Sequence, residues 1–350
     1  MDYTPGDDLR MVAESVGRFV ADRAGANGDP WPQMAELGLP GLPLPDASGG
    51  SGLGAAGTMV VMEAFGAGLL ATPFVPSVVM AGSLLSRCPA EGGRIAALIA
   101  GQARFACALP DGAGKVPATA RAGGDGRRLT GRGILVLGAE TAGAVLVPAW
   151  QENGEAGFFL LSPDGAGVRL HDMTLADGRR AARMDLSEAA PMTHLRPEGE
   201  PGAILRALHG AALLAVAAEN LGAMQRLFDL TLGHVKTRSQ FGRPIGAFQT
   251  LQFRLVDLWI RLDEARSLVM TATMAADAGA ADAARLAAAA WIQTLWSGRA
   301  ISEEAIQLHG ALGMTEESVI GRYVKRILVN ELLFGPPEAH LARFSGLPRR

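Results

Sequence analysis

The chain is poor in the residues from which several classes of protein are built. It has two cysteines in 350 residues, Cys88 and Cys107, and neither belongs to a C-x-x-C pair or a Cys/His cluster. That excludes a disulfide framework and a zinc site of ordinary spacing, and predicts two reduced, buried thiols. No H-E-x-x-H and no His/carboxylate cluster is present, so no metal is expected. Net charge is −3 with no run of five like charges, which leaves no basic face for nucleic acid. The most apolar stretches, 207–219 and 286–292, are too short or too interrupted to span a bilayer, so no membrane partner is expected. The N-terminal MDYTPGDDLR lacks a basic n-region and an apolar h-region, and a cytoplasmic location is expected.

What is present points to a folded, mainly helical protein. Apolar residues make up 49% of the chain, and there are 45 glycines. This composition suits helices that cross closely at small residues, joined by turn-rich connections, and is the opposite of disorder. The length suggests two or three domains. Helical spacing of apolar residues covers 7–24, a short helix ends at Gly38, and further helices are expected over 55–70, 75–86 and 91–101. From 104 the texture changes to short apolar runs bounded by Gly, Asp or Pro, including FACALP, RRLTGRGILVLG, AGAVLVPAW, AGFFLLSP, AGVRLHDM and RAARMDLS. These read as strands. Helical periodicity then returns in four long segments, near 202–235, 247–278, 281–311 and 316–334, as in an antiparallel bundle. The expected fold class is therefore α+β: an N-terminal helical domain (1–103), a small antiparallel β-domain (104–198) and a C-terminal four-helix bundle (199–350).

Two stretches are not explained by core packing. Residues 237–252 read TRSQFGRPIGAFQTLQ: Arg238 ends one helix, Gly242 and Pro244 break it, and Phe248-Gln249 opens the next. An Arg and an amide beside a helix break suit a phosphate, through charge-assisted donors and the N–H groups of a helix start. Residues 305–317 read AIQLHGALGMTEE, where Gln307 is followed by Gly310, a residue that permits close backbone approach to a ligand. His309 and His340 read as packing or surface residues.

Together these motifs resemble the acyl-CoA dehydrogenase family, and the resemblance covers nearly the whole chain. The early loop LGLPGLPLPDASGGSGLG (37–54) and the β-segment TLADGRRAARMDLSEA (174–189) are similar to family segments as well. The resemblance implies FAD shared across a subunit interface, with its flavin end on one subunit and its ADP end reaching the neighbour. It assigns the ADP end to Arg238, Gln240, Phe241, Gln249, Gln307, Gly310 and Ala311. Ala311 departs from the family, which has a second glycine there.

The flavin-facing half departs further. The family's Thr-Glu-Pro and Gly-Ser-Asp pieces are missing from ALPDGAGKVPATA (108–120), and GILVLGAETA (133–142) stands where a Trp-Ile-Thr is usual. The catalytic Glu, which precedes a Gly, is replaced by Phe334 in LLFGPPEAHL, and the alternative family position falls on Ala212 and Leu213. None of these residues can accept a proton. The asymmetry implies a chain that completes the FAD site of a homologous acyl-CoA dehydrogenase subunit in a heterotetramer acting on an acyl-CoA, an oxidoreductase of lipid metabolism. Three alternatives stay open: a homo-oligomer with a relocated base (Glu338 first, Asp111 and Glu219 behind it), a base-free flavin monooxygenase, and a scaffold without flavin. Trp259, Trp291 and Trp296 on the bundle helices, with the small-residue run ARLAAAAWI (284–292), imply oligomers under each reading.

Overall fold

A computed structural model describes residues 6–23, 28–109, 120–123, 127–315 and 318–345. The N-terminal helices are α1 (Asp7–Asp22), α2 (Trp31–Glu36), α3 (Gly54–Ala67), α4 (Ser83–Leu85) and α5 (Gly92–Ile99), with a π-helical run, Val75–Gly82, leading into α4. The strands are β1 (Phe105–Ala108), β2 (Arg121–Gly123), β3 (Arg128–Leu137), β4 (Ala144–Trp150), β5 (Ala156–Leu161), β6 (Val168–Thr174), β7 (Arg180–Ala189) and β8 (Thr193–Leu195). Then follow α6 (Pro201–Thr237), the two-residue strands β9 (Ser239–Gln240) and β10 (Arg243–Pro244), α7 (Gln249–Asp277), α8 (Ala283–His309), α9 (Val319–Phe334) and α10 (Pro337–Ser345). This is the expected α+β order of helices, sheet and helical bundle. The chain resolves into two compact units, one of residues 25–58 and 71–215, the other of residues 1–24, 59–70 and 216–350.

The first unit is built on one sheet with strand order β6-β7-β3-β1-β4-β5-β8, with β2 pairing both β3 and β4. Most pairings are antiparallel, as expected, but β1/β4 and β2/β4 are parallel. The reason is positional: β1 inserts between β3 and β4, so it runs against one and along the other. β1, β4 and β5 are buried almost throughout, which is why they read as continuous apolar runs. β6 is largely exposed, and β7 alternates. The π-helical run is tied to β1 by Ser77, whose hydroxyl donates to the Phe105 carbonyl (2.6 Å) and accepts from the Phe105 amide (3.0 Å). Both cysteines are buried free thiols, and burial pushes the Cys107 thiol up to about 12.

The second unit holds the long helices. The end of α3 meets α6 backbone to backbone: a Cβ on Gly66 would lie 1.8 Å from the Glu219 carbonyl oxygen, and one on Gly222 would lie 1.9 Å from that of Glu63. This contact is crossed by a buried polar cluster. Arg326 of α9 donates to Glu219 Oε1 (2.6 Å) and to the carbonyls of Leu69 and Leu70. Asn330 donates to Glu219 Oε2 (3.0 Å) and Asn220 Oδ1 (2.8 Å). All four residues are at most 3% exposed. α6 contains an 18-residue window long and apolar enough to cross a membrane by composition, but 67% of that window is buried inside the protein, as in a core helix.

Removing one side of a buried ion pair leaves the other charge uncompensated, so Arg326→Met is expected to lower the unfolding free energy by about 3–5 kcal/mol. Urea denaturation of Arg326→Met beside Arg326→Met/Glu219→Leu reads this, with the double variant the more stable of the two. A loss within about 0.5 kcal/mol for the single variant, as for a surface change, refutes the role given to this pair.

Candidate functional site

The TRSQFGRP segment folds as an exposed clasp at one end of the bundle. α6 stops at Thr237, and β9 and β10 form a two-pair ladder, Gln240 with Arg243 and Ser239 with Pro244. The two residues at the tip, Phe241 and Gly242, both have positive φ (53° and 79°). That pair of signs belongs to the tight hairpin turns whose twist matches their strands. Glycine adopts it freely, whereas phenylalanine does so at a cost on the order of 1–3 kcal/mol. Phe241 is also 91% exposed. A large ring held in a strained backbone and presented to solvent gains little from its own chain, which marks it as a contact for something else.

The clasp is fixed at its base. The Ile245 amide donates to the Arg238 carbonyl (2.8 Å), and the Arg238 amide to that of His234 (2.8 Å). The Arg243 guanidinium lies 4.1 Å over the Phe248 ring, whose centroid is 6.2 Å from that of Phe241, edge to face. Phe248 caps α7 without a side-chain cap, and Gln249 is the first helical residue. Arg238, Gln240, Arg243 and Gln249 are all exposed.

The second motif ends α8. Gln307, Gly310 and Ala311 are exposed, and Gly310 turns the chain with φ 62° and ψ −143° into a 3-10 turn, Gly310–Met314. His234 and His309 join the two motifs: their rings stack with centroids 4.2 Å apart at 27°. His234 also bonds the Leu308 backbone, and its pKa is lowered first by burial, then by His309 and by Arg238. The structure therefore brings the ends of α6 and α8 together through a residue that sequence reasoning passed over. The available signal was position: His234 stands one helical turn before Arg238, and His309 directly before Gly310.

The place of the family base is filled and dry. Phe334 is 4% exposed, and its ring meets Trp291 edge to face at 6.1 Å. Trp291 Nε1 donates to the Gly335 carbonyl (3.0 Å), and His340 Nε2 lies 2.8 Å from the Phe334 carbonyl oxygen. Ala212 and Leu213 are buried aliphatic residues of α6. Of the alternative bases, Glu219 is buried in its ion pair with Arg326. Glu338 lies in the first turn of α10, exposed, where a carboxylate favours the helix start. Asp111 lies outside the described residues, as does most of 108–120. The segment in place of Trp-Ile-Thr comprises the end of β3, with Ile134, Leu135, Val136 and Leu137, and the 3-10 turn Ala139–Thr141. Trp291 is core, while Trp259 and Trp296 are about half exposed.

Two substitutions read these assignments. Phe241→Ser is expected to leave the stability of the chain within about 0.5 kcal/mol, because the ring is exposed. Phe334→Glu places a carboxylate against Trp291 in the dry core, and an unfolding free energy lower by at least about 3 kcal/mol is expected from calorimetry. A stable Phe334→Glu protein would mean that the site still accommodates a base.

The chain matches the "Acyl-CoA dehydrogenase, N-terminal domain" profile over residues 7–91 and the "Acyl-CoA dehydrogenase, C-terminal domain" profile over 204–345. It is similar to the acyl-CoA dehydrogenase IpdE2 of Mycolicibacterium smegmatis, 28% identical over 94% of this chain and 91% of that protein. Among solved structures it is similar to the Tcur3481–Tcur3483 steroid ACAD (27% identity, TM-score 0.88, 98% of each chain). It is also similar to the ChsE4–ChsE5 complex from Mycobacterium tuberculosis (25%, 0.88, 99% of this chain and 98% of that one). A glutaryl-CoA dehydrogenase from Mycobacterium smegmatis in complex with FADH2 shares the fold, at 19% identity and TM-score 0.86 over 97% of this chain and 94% of that one. With both domain profiles matched and the fold shared end to end, the chain belongs to the acyl-CoA dehydrogenase family.

Proposed function

We propose that this chain is one subunit of a heteromeric acyl-CoA dehydrogenase. It supplies the ADP-binding clasp for FAD held mainly by a homologous, Glu-bearing partner. The single observation that carries the reading is the contrast between the Arg238–Phe241 hairpin, strained and exposed, and position 334, closed by a phenylalanine packed on Trp291. The similarity to two solved assemblies of paired chains supports the heteromeric form.

The residues present fit the ADP end of FAD. Arg238 and Arg243 offer guanidinium donors for a pyrophosphate, Gln240 and Gln249 offer amides, and the uncapped start of α7 offers backbone N–H groups. Phe241 offers a ring face for stacking. The flavin, when bound, accepts a hydride from the β-carbon of the acyl group. That reaction also needs a carboxylate to take the weakly acidic α-proton. Phe334 has no lone pair, so in this reading the proton is taken on the partner, and this chain contributes binding and orientation. The exposed Trp259 and Trp296 leave apolar surface on the bundle for a second subunit.

The relocated-base reading draws less from the structure. Glu338 in the first turn of α10 already has a structural role, and Glu219 is sequestered. A scaffold without flavin does not account for a strained aromatic tip beside two exposed arginines.

Co-expression with a homologue that keeps the catalytic Glu tests the proposal. The purified complex is expected to carry flavin, seen in its absorbance spectrum, and to oxidise an acyl-CoA, whereas this chain alone holds little flavin. Arg238→Ala in the complex removes a charge-assisted contact and is expected to weaken flavin retention by at least about tenfold. A lone chain that purifies fully loaded and turns over acyl-CoA refutes the subunit reading.

A further inference from the structure

We propose that the stacked His234–His309 pair is the joint of this clasp. It holds the Arg238 hairpin against the Gly310 turn while His234 is neutral and loosens it when His234 gains a proton, so that the hold on the dinucleotide weakens in mild acid. The inference rests on the clasp binding the ADP end of FAD. It concerns two residues that the family resemblance gave no role.

The geometry places the pair at a point where the motifs meet. His234 precedes Arg238 by one turn of α6, and its backbone carbonyl accepts the Arg238 amide that starts the hairpin. His309 is the last residue of α8, and Gly310 turns away directly after it. Each ring is tied to backbone at α8: His309 Nδ1 lies 2.8 Å from the Ala305 carbonyl oxygen, and His234 bonds Leu308. Ring stacking at 4.2 Å completes the link. A shift of His234 therefore moves the base of the hairpin relative to the Gly310 turn.

Opposing effects act on the proton. His234 sits in the last turn of α6, where the macrodipole favours a cation, and the bond to Leu308 acts in the same direction. Burial of His234, the facing His309 and the Arg238 guanidinium oppose it and prevail, so its pKa is lowered from 6.5. The charges that act on His234 are His309 from α8 and Arg238 from its own chain segment; no carboxylate is among them. A group whose pKa is depressed in the assembled state stabilises that state fully above its ordinary value. That contribution declines as pH falls below 6.5 toward the depressed value. A protonated His234 faces the Arg238 guanidinium with the same sign of charge, and the stack opens.

The test uses the co-expressed complex and FAD as the probe, titrated by flavin fluorescence between about pH 8 and about pH 5.5. Wild type is expected to lose affinity measurably across this range, the direction set by the lowered pKa of His234 in the assembled clasp. His234→Phe keeps a stacking ring without a titratable proton. It is expected to bind FAD at neutral pH within about threefold of wild type and to lose the acid step, with His234→Tyr as a second ring-preserving variant. An acid step of wild-type size in both ring variants overturns the proposal. Hydrogen exchange of the Ile245 amide, which closes the hairpin onto Arg238, reads the joint without flavin. Its protection is expected to fall in acid in wild type and to persist in His234→Phe, and equal loss in both overturns the joint. If wild type binds no FAD at any pH, the assignment of the clasp fails instead, and the exchange experiment still decides whether the histidines anchor the hairpin.

Discussion

The helical unit depends on a buried ion pair set into a glycine contact. Gly66 and Gly222 let α3 and α6 approach until backbone meets backbone, closer than any side chain permits. Such an approach removes the room in which other side chains could serve the carbonyls that follow α3. Arg326 serves them instead, reaching from α9 to the carbonyls of Leu69 and Leu70 while its charge is balanced by Glu219. Leu69 itself has φ 53°, so the turn it makes is strained and needs that support. Desolvating two charges is costly, and an ion pair of this kind is not a large net source of stability. Its effect is to make one arrangement of α3, α6 and α9 the one in which every buried charge is matched. The carboxylate that sequence reasoning kept in reserve as a base is thereby committed to structure.

Much of the fold was legible because the periodicities are clean. Six strand-length runs became six strands, and four long helical segments became α6 to α9, since burial on one or both faces writes itself into the spacing of apolar residues. What was missed lacked such a signature. β2 and β8 are three residues each, too short for alternation to register. α10 follows Gly335-Pro336-Pro337, which reads as a loop, although Pro337 is the first helical residue, where a missing N–H costs nothing. The parallel pairings of β4 are a property of strand order and cannot be read from any one segment.

The candidate site was read from two local features and one resemblance. Arg238 beside a helix break and Gln307 before Gly310 stand out locally, whereas Gln240 and Phe241 were named from the family resemblance. That Phe241 would be held at positive φ was not visible, nor that the two motifs would be joined by a pair of imidazoles. Contacts between residues distant in sequence carry no local pattern. His234 on its own is unremarkable in a helix, and only the ring of His309 facing it gives it a role.

The contrast between the two ends of the helical unit follows from the same physics. The clasp keeps its arginines and the Phe241 ring in solvent, with Phe241 at positive φ. At position 334 the surroundings are buried, and burial favours apolar filling. Phe334 shows the outcome: its ring packs on Trp291, and the indole N–H and the imidazole of His340 bond the carbonyls of Gly335 and Phe334. Those two bonds satisfy main-chain groups that a buried turn would otherwise leave unpaired, at a cost of a few kcal/mol. With that packing in place, a carboxylate at position 334 would be desolvated against Trp291. In the proposed reading, such a chain binds one end of a dinucleotide and leaves the chemistry at the other end to a different polypeptide.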